Sequence, residues 1–201
     1  MLDLFQKGGA LMYPLLLCSV IVVAVILERG ICFLRAGSSA SWTVKLRFHI
    51  QKRAFDEVIA LTQTRPGPVA TLLREVIEHR ELPRAELESL VSTIGSMELK
   101  RLSTHLHLLE LAGRIAPMLG LSGTVLGLTR TFQTVASVKT FTNPGLLASG
   151  IWEALITTVT GLFIGIPALV FHHFFENRLD SLSFEMKSSA ETILTELGEH
   201  R

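Results

Sequence analysis

The sequence predicts an all-α integral membrane protein with three transmembrane helices, the second and third extended into the cytoplasm. Three observations predict it. Apolar residues make up 48% of the 201-residue chain, while the formal net charge is only +1. The charges are segregated: Gly8 to Leu27 is twenty residues without one, and Ala154 to Phe171 is eighteen more. A third apolar stretch lies between Arg114 and Lys139, interrupted only by Arg130. As a helix, a twenty-residue run is about 30 Å long, the thickness of a hydrocarbon core. The balanced charge leaves no electrostatic footprint for nucleic acid.

The first span reads as retained. Its apolar run is too long for a cleaved signal peptide, and Glu28 and Arg29 follow it directly in place of a small-residue cleavage site. Cys18 lies in this span and Cys32 just beyond its inner end. Their spacing suits neither a disulfide framework nor a metal, so both read as small apolar fillers.

Basic residues orient the spans. Thirteen Lys or Arg fall between Glu28 and Arg114 inclusive, and three more follow Phe175. The N-terminal stub has Lys7 alone, and Lys139 alone adjoins the segment 140–149. The positive-inside rule then places the middle segment and the tail in the cytoplasm, with the N-terminus and the short loop on the other side of the membrane. The expected organisation is 1–29, periplasmic stub and first span; 30–111, cytoplasmic helical region; 112–175, second and third spans; 176–201, cytoplasmic helical tail.

Within the middle segment, "RFHIQKRAFDEVIALTQ" has helical apolar spacing at Phe48, Phe55, Val58 and Ile59. "RPGP", from Arg65 to Pro68, is a turn, and "VATLLREVIEHREL" a second short helix. Pro83 suits the first turn of a helix that runs on unbroken into the second span. The tail carries Leu179, Leu182, Met186, Ile193 and Leu197 at loose helical spacing, but its six acidic and three basic residues favour a solvated face. Arg29, Arg35, Lys45 and Arg47 stand where anionic headgroups of membrane lipids would meet them.

The second span, "APMLGLSGTVLGLTRTF", is not written as a plain anchor. Pro117, Gly120, Thr124, Gly127 and Thr131 recur every three or four residues and share a face. Small residues let helices approach closely, so a packing face is the simplest reading. Thr124, near mid-membrane, either bonds its own helix or lines a wet path. In the third span Gly150, Ala154, Thr157, Gly161, Gly165 and Ala168 form a second small stripe, beside Thr158 and Thr160. Pro167 there frees a backbone carbonyl that must be satisfied elsewhere.

Glu153 stands at the outer end of the third span. A carboxylate deep in a bilayer costs about 2.5–3.5 kcal/mol, an interfacial one much less. A solvated helix end, paired with Arg130, and an ion-entry or partner-contact group are the two readings. His172 and His173 are adjacent and so point to different faces, against a shared metal. No nucleophile elbow, zinc motif or phosphate loop is present, and no catalytic residue, metal site or cofactor is assigned.

These segments resemble the MotA/TolQ/ExbB proton channel family. "APMLGLSGTVLG" is similar to the family's A-P-L-L-G-L-x-G-T-V-x-G. "GIWEALITTVTGLFIGIPA" is similar to its G-I-x-E-A-L-x-x-T-x-x-G-L-x-x-A-I-P-A. The resemblance covers 112–175, and three spans with a modest inner region look like the ExbB or TolQ type. It implies a homo-pentamer in the bacterial inner membrane around a dimer of a single-span ExbD/TolR-like subunit. Ion flow would drive work on a TonB/TolA-like periplasm-spanning protein. It places the ion pathway at Thr124, Thr158 and Glu153, and the helix-bending and packing positions at Pro117 and Pro167 with Gly120, Gly161 and Gly165. Ser122, Thr157 and Thr160 add hydroxyls beyond the family pair, which keeps sodium open beside protons. Arg130 departs from the pattern. The titrating carboxylate would come from the partner, because this chain has none inside the spans. The rival readings are a TolQ-like envelope-maintenance motor, a non-conducting scaffold, and a permease subunit. The lack of an inverted repeat speaks against the last.

Overall fold

The computed structural model describes residues 9–37, 40–65, 67–137 and 144–198. These residues form helices and, among them, no strand. In chain order the helices are α1 (Met12–Ala36), α2 (Ala40–Gln51), α3 (Phe55–Thr64), α4 (Pro68–Glu78), α5 (Arg84–Ser103), α6 (Leu106–Ser137) and α7 (Pro144–Gly198). Three helical stretches are long and apolar enough to cross a membrane: Met12–Ala36, Arg84–Ala136 and Ala148–Leu197. The chain divides into two compact units. The first is Met1–Leu27 with His105–His173, and the second is Glu28–Thr104 with Phe174–Arg201.

The middle stretch is not the unbroken helix that its periodicity predicts. It stops at Thr104 and restarts after His105, which takes a left-handed φ of 65°. The hydroxyls of Ser103 and Thr104 both donate to the Lys100 carbonyl, at 3.1 and 3.0 Å. Such back-bonding competes with the helical ladder. The carbonyls left over at the end of α5 are met from elsewhere in the second unit: the Arg29 guanidinium donates to those of Arg101 and Leu102, at 3.2 and 3.3 Å. A cation there also complements the negative end of the helix dipole. Arg29 is thus buried, with its terminal nitrogens committed to the end of α5 and to Glu28.

A second break separates α2 from α3, where the sequence suggests one helix. Arg53 takes a φ of 56°, and its N–H donates to Ile50 O at 2.9 Å. Its side chain pairs with Glu196 at 3.5 Å.

The core of the second unit is built from large apolar side chains. Leu46, Ile50, Val58, Leu72, Leu73 and Val76 are buried together with Met186, Ala190, Ile193 and Leu194 of α7. The tail, expected as a solvated face, is therefore one wall of this core. Burying a side chain such as Ile193 stabilises by about 1.5–3 kcal/mol, more than its exposed charges on the other face can offset.

The first unit has little such core. Met12, Leu15 and Ala116 form one small buried cluster, with Leu119 and Ile164 against it. Leu16, Val20 and Val23 of α1 are exposed, as are Met118, Leu121 and Val125 of α6 and Val159, Phe163 and Ile166 of α7. An all-round apolar exterior is what a bilayer, or further copies of the chain, would cover.

Candidate functional site

The two glycine-bearing spans, α6 and α7, meet along their small-residue stripes. At Gly161, an added Cβ would lie 2.5 Å from the Ala116 carbonyl oxygen. At Gly120 it would lie 2.9 Å from the Thr157 carbonyl oxygen, and at Gly127 3.1 Å from Ala154 Cβ. The stripes therefore face each other within one chain. With no side chain between them, the backbones reach van der Waals contact, the main attraction available between helices in lipid.

Both spans run through their prolines as continuous helix. Pro117 has no N–H to offer the Gly113 carbonyl one turn below. That carbonyl instead points toward Gly165, where a Cβ would come within 2.9 Å, and the Pro117 ring fills the same hollow. Gly165 thus leaves room for a weak Cα–H contact to the freed oxygen.

The hydroxyls divide into two groups. Ser122 donates to Met118 O at 2.9 Å, Thr124 to Leu121 O at 2.7 Å and Thr160 to Ile156 O at 2.8 Å, each within its own helix. Thr158 reaches across instead and donates to the Gly120 carbonyl of α6 at 3.0 Å. Thr157, fully buried, donates to Ala154 O at 2.7 Å and lies 3.4 Å from the same Gly120 oxygen. Thr124 sits one turn beyond Gly120 on the same side of α6 and is half-buried. Thr124 and Thr158 accordingly flank one stretch of the seam, while Thr157 lies inside it. Ser122 is exposed.

Glu153 is half-buried near the start of α7. Its carboxylate rests against Gly9, where a side chain would collide with Oε1 and where φ is +68°, so two independent constraints favour glycine. Glu153 and Arg130 line the same 40 Å³ cavity with Gly123, Gly127 and Thr157. Among the described residues they form no ion pair.

Sequence reasoning missed three participants: Gly9, Gly113 and Gly123. A signal for Gly113 existed. Gly113, Gly120 and Gly127 are seven apart, the period of a seam between two helices that coil around each other. Nothing local marks Gly9 as the residue facing Glu153.

Comparison with known proteins matches this pair of helices to a family. The model of the MotA/TolQ/ExbB proton channel family fits residues 64–188, well over half of the chain. The chain belongs to the MotA/TolQ/ExbB family. It is similar to biopolymer transport protein exbB1 of Vibrio cholerae, 29% identical over 171 residues, covering 83% of this chain and 75% of that protein. An ExbB-like biopolymer transport protein of Synechocystis sp. is 30% identical over 176 residues, 85% of this chain and 68% of that protein. The Tol-Pal system protein TolQ of Pseudomonas aeruginosa is 39% identical over 87 residues, 43% of this chain and 37% of that protein. The family match is wider than the segment 112–175 that carries the two motifs, and it takes in helices of the second unit.

Proposed function

We propose that this chain is a subunit of a proton-driven motor in the bacterial inner membrane. It works as a channel-forming component and not as an enzyme. Five copies surround a dimer of a single-span ExbD/TolR-like subunit, and ion flow between them does mechanical work on a TonB/TolA-like protein of the periplasm. The N-terminus is periplasmic and the C-terminus cytoplasmic. The service is ExbB-like, in outer-membrane uptake, with TolQ-like envelope maintenance as the alternative, since relatives of both kinds align.

The observation that carries this reading is Thr158. Its hydroxyl is the inter-helix hydrogen bond to Gly120 in the middle of the seam, and Thr124 stands one turn away. Hydroxyls donate and accept while staying uncharged, which suits the lining of a path along which a partner carboxylate is protonated and released. Between Arg114 and Phe171 the only acid is Glu153, so the titrating group must be supplied from outside the chain. In this reading Glu153 and Arg130 guard the outer mouth. Thr160 and Ser122 add oxygen atoms along the path, and Thr157, buried inside the seam, supports it from behind.

The seam also supports a second reading, a non-conducting scaffold that uses its glycines for packing alone. Thr158→Val separates the two, because it keeps shape and removes the hydroxyl. We expect the complex reconstituted with its single-span partner to stay assembled and to lose ion flux. Unchanged activity of the complex in that variant would favour the scaffold. Flux that persists without a pH gradient but follows sodium would replace the proton.

A further inference from the structure

Two cavities of the second unit, of 420 and 470 Å³, adjoin one another through Arg35, Ala36 and Gly67. They lie where α1 leaves its uncharged run. The larger is lined by Arg29, Arg35 and Arg101, and the smaller adds Arg65. Two carboxylates, Glu28 and Glu98, also face the larger cavity. Each already has an arginine: Glu28 accepts from Arg29 at 2.5 Å, and Glu98 lies 3.9 Å from Arg101. The Arg35 guanidinium forms no ion pair among the described residues.

Two further features aim at the same space. The first is the N-terminus of α4. Its N-cap is Gly67, which offers no side-chain hydrogen bond, and Pro68 follows at the first helical position. Thr71 N–H is taken by the Gly67 carbonyl at 2.9 Å. The N–H groups of Val69 and Ala70 therefore stand at the positive end of the helix dipole without a capping group, and both residues line the smaller cavity. The second is Arg29 itself. It is buried, 7% exposed, and while its terminal nitrogens are bonded, its Nε has no hydrogen-bond partner. A buried N–H of a cation without an acceptor is costly, and an anion in the larger cavity would place negative charge beside that guanidinium.

We propose that these cavities hold the phosphate group of an anionic phospholipid. A helix N-terminus and a cluster of arginines together form the surroundings that phosphate oxygens seek. The place in the chain favours a lipid over a soluble phosphate. Ile31 and Leu34, on the last turns of α1, are 53% and 84% exposed, giving acyl chains an apolar surface beside the charged cavity. The site depends on α1 being a membrane span but not on whether the chain conducts ions, so the two proposals fail separately.

The test titrates the purified full-length protein, in detergent, with dioleoyl-phosphatidylglycerol, dioleoyl-phosphatidylcholine or inorganic phosphate. Hydrogen exchange of peptides from 64–78 and thermal unfolding report occupancy. Phosphatidylglycerol should protect α4 at concentrations about five- to tenfold below those of phosphatidylcholine, as expected for one added charge contact. Millimolar phosphate should not protect. Arg35→Glu should erase the preference, and Lys45→Glu, an exposed charge that lines neither cavity, should keep it. Equal protection by the two lipids would overturn the proposal, as would equal loss in the two variants. Protection by inorganic phosphate with phosphatidylglycerol inert would overturn the lipid and leave a soluble ligand. Should Arg35→Glu fail to fold, the wild-type lipid series and Arg35→Gln decide the matter.

Discussion

Between α6 and α7, the closest approaches are made by backbone atoms. The Cβ that Gly161 lacks would reach the Ala116 carbonyl, and the one Gly120 lacks would reach Thr157 and Thr158 main chain. In the second unit, the interior is filled by Leu46, Ile50, Leu72, Leu73 and Ile193, whose side chains are removed from solvent almost completely. The solvents account for the contrast. Lipid tails are as apolar as leucine, so hiding leucine from them gains nothing, and helices associate by bringing backbones close. Water rewards the burial of every methylene, and the bulky interior of the second unit is the kind that water favours. One unit is specified by what its side chains leave out and the other by what they put in.

The sharpest way to break the comparison is to give the seam a side chain. Gly161→Val should have the largest effect of the variants considered. Its neighbours at 2.5–3.2 Å are main-chain atoms of Ala116 and Gly120, which cannot swing aside. We expect the α6–α7 contact to open and folded protein to be lost from membranes. In material that survives, hydrogen exchange should rise in peptides of His105–His173 and much less in those of Glu28–Thr104. Wild-type accumulation of the variant would show that the seam tolerates bulk. Removing bulk from the second unit is the mirror experiment. Leu73→Ala, at a fully buried position, should cost about 2–5 kcal/mol through lost burial plus a cavity. The exchange pattern should be reversed, with protection lost around α4 and in the tail of α7.

How far the sequence reveals these features follows the same division. Spans and small-residue stripes are periodic, and periodicity is visible in one dimension. Apolar runs from Gly8 and Ala154 mark α1 and α7, and a small residue every third or fourth position marks the seam. What escapes is decided by tertiary partners. The break at Thr104 and His105 carries neither glycine nor proline; it depends on two hydroxyls bonding Lys100 and on Arg29 arriving from another part of the chain. The left-handed turn at Arg53 is equally silent in sequence. That Arg29 meets the end of another helix cannot be read from its position beside a span. The tail's acidic excess suggests solvent, although Met186, Ala190 and Ile193 share a buried face. Of the candidate site, Thr124, Thr158 and Glu153 are legible through their motifs. That Thr158 reaches the Gly120 carbonyl while Thr124 turns back on its own helix is a matter of side-chain geometry.

A milder variant sharpens the comparison by distinguishing backbone from side-chain obstacles. At Gly150 an added methyl would overlap the Thr131 hydroxyl, whose Cβ stands 3.0 Å away. Thr131 is nearly buried and donates to Gly127 O at 2.8 Å. A side chain can give way where a carbonyl cannot, so Gly150→Ala should cost about 1–3 kcal/mol, typical of overpacking. Combining it with Thr131→Ala should recover part of that loss, and denaturation of the four proteins in detergent measures the coupling. Strict additivity would mean that the two residues do not meet.

The smallest expected change has the opposite sign, and it isolates the solvent argument from the identity of the residue. Gly95 lies inside α5, and a Cβ there would meet only Leu72 Cδ1 at 3.9 Å, an ordinary contact. Glycine within a helix is less favourable than alanine by roughly 0.5–1 kcal/mol because of its greater freedom when unfolded. No backbone approaches Gly95 closely enough to offset that cost. Gly95→Ala should therefore stabilise the second unit by about 0.5–1 kcal/mol. Slower exchange in α5 peptides, with those of α6 unchanged, would measure it. Destabilisation would mean that glycine has a packing role in the second unit too, and the contrast between the units would then rest on their large side chains alone.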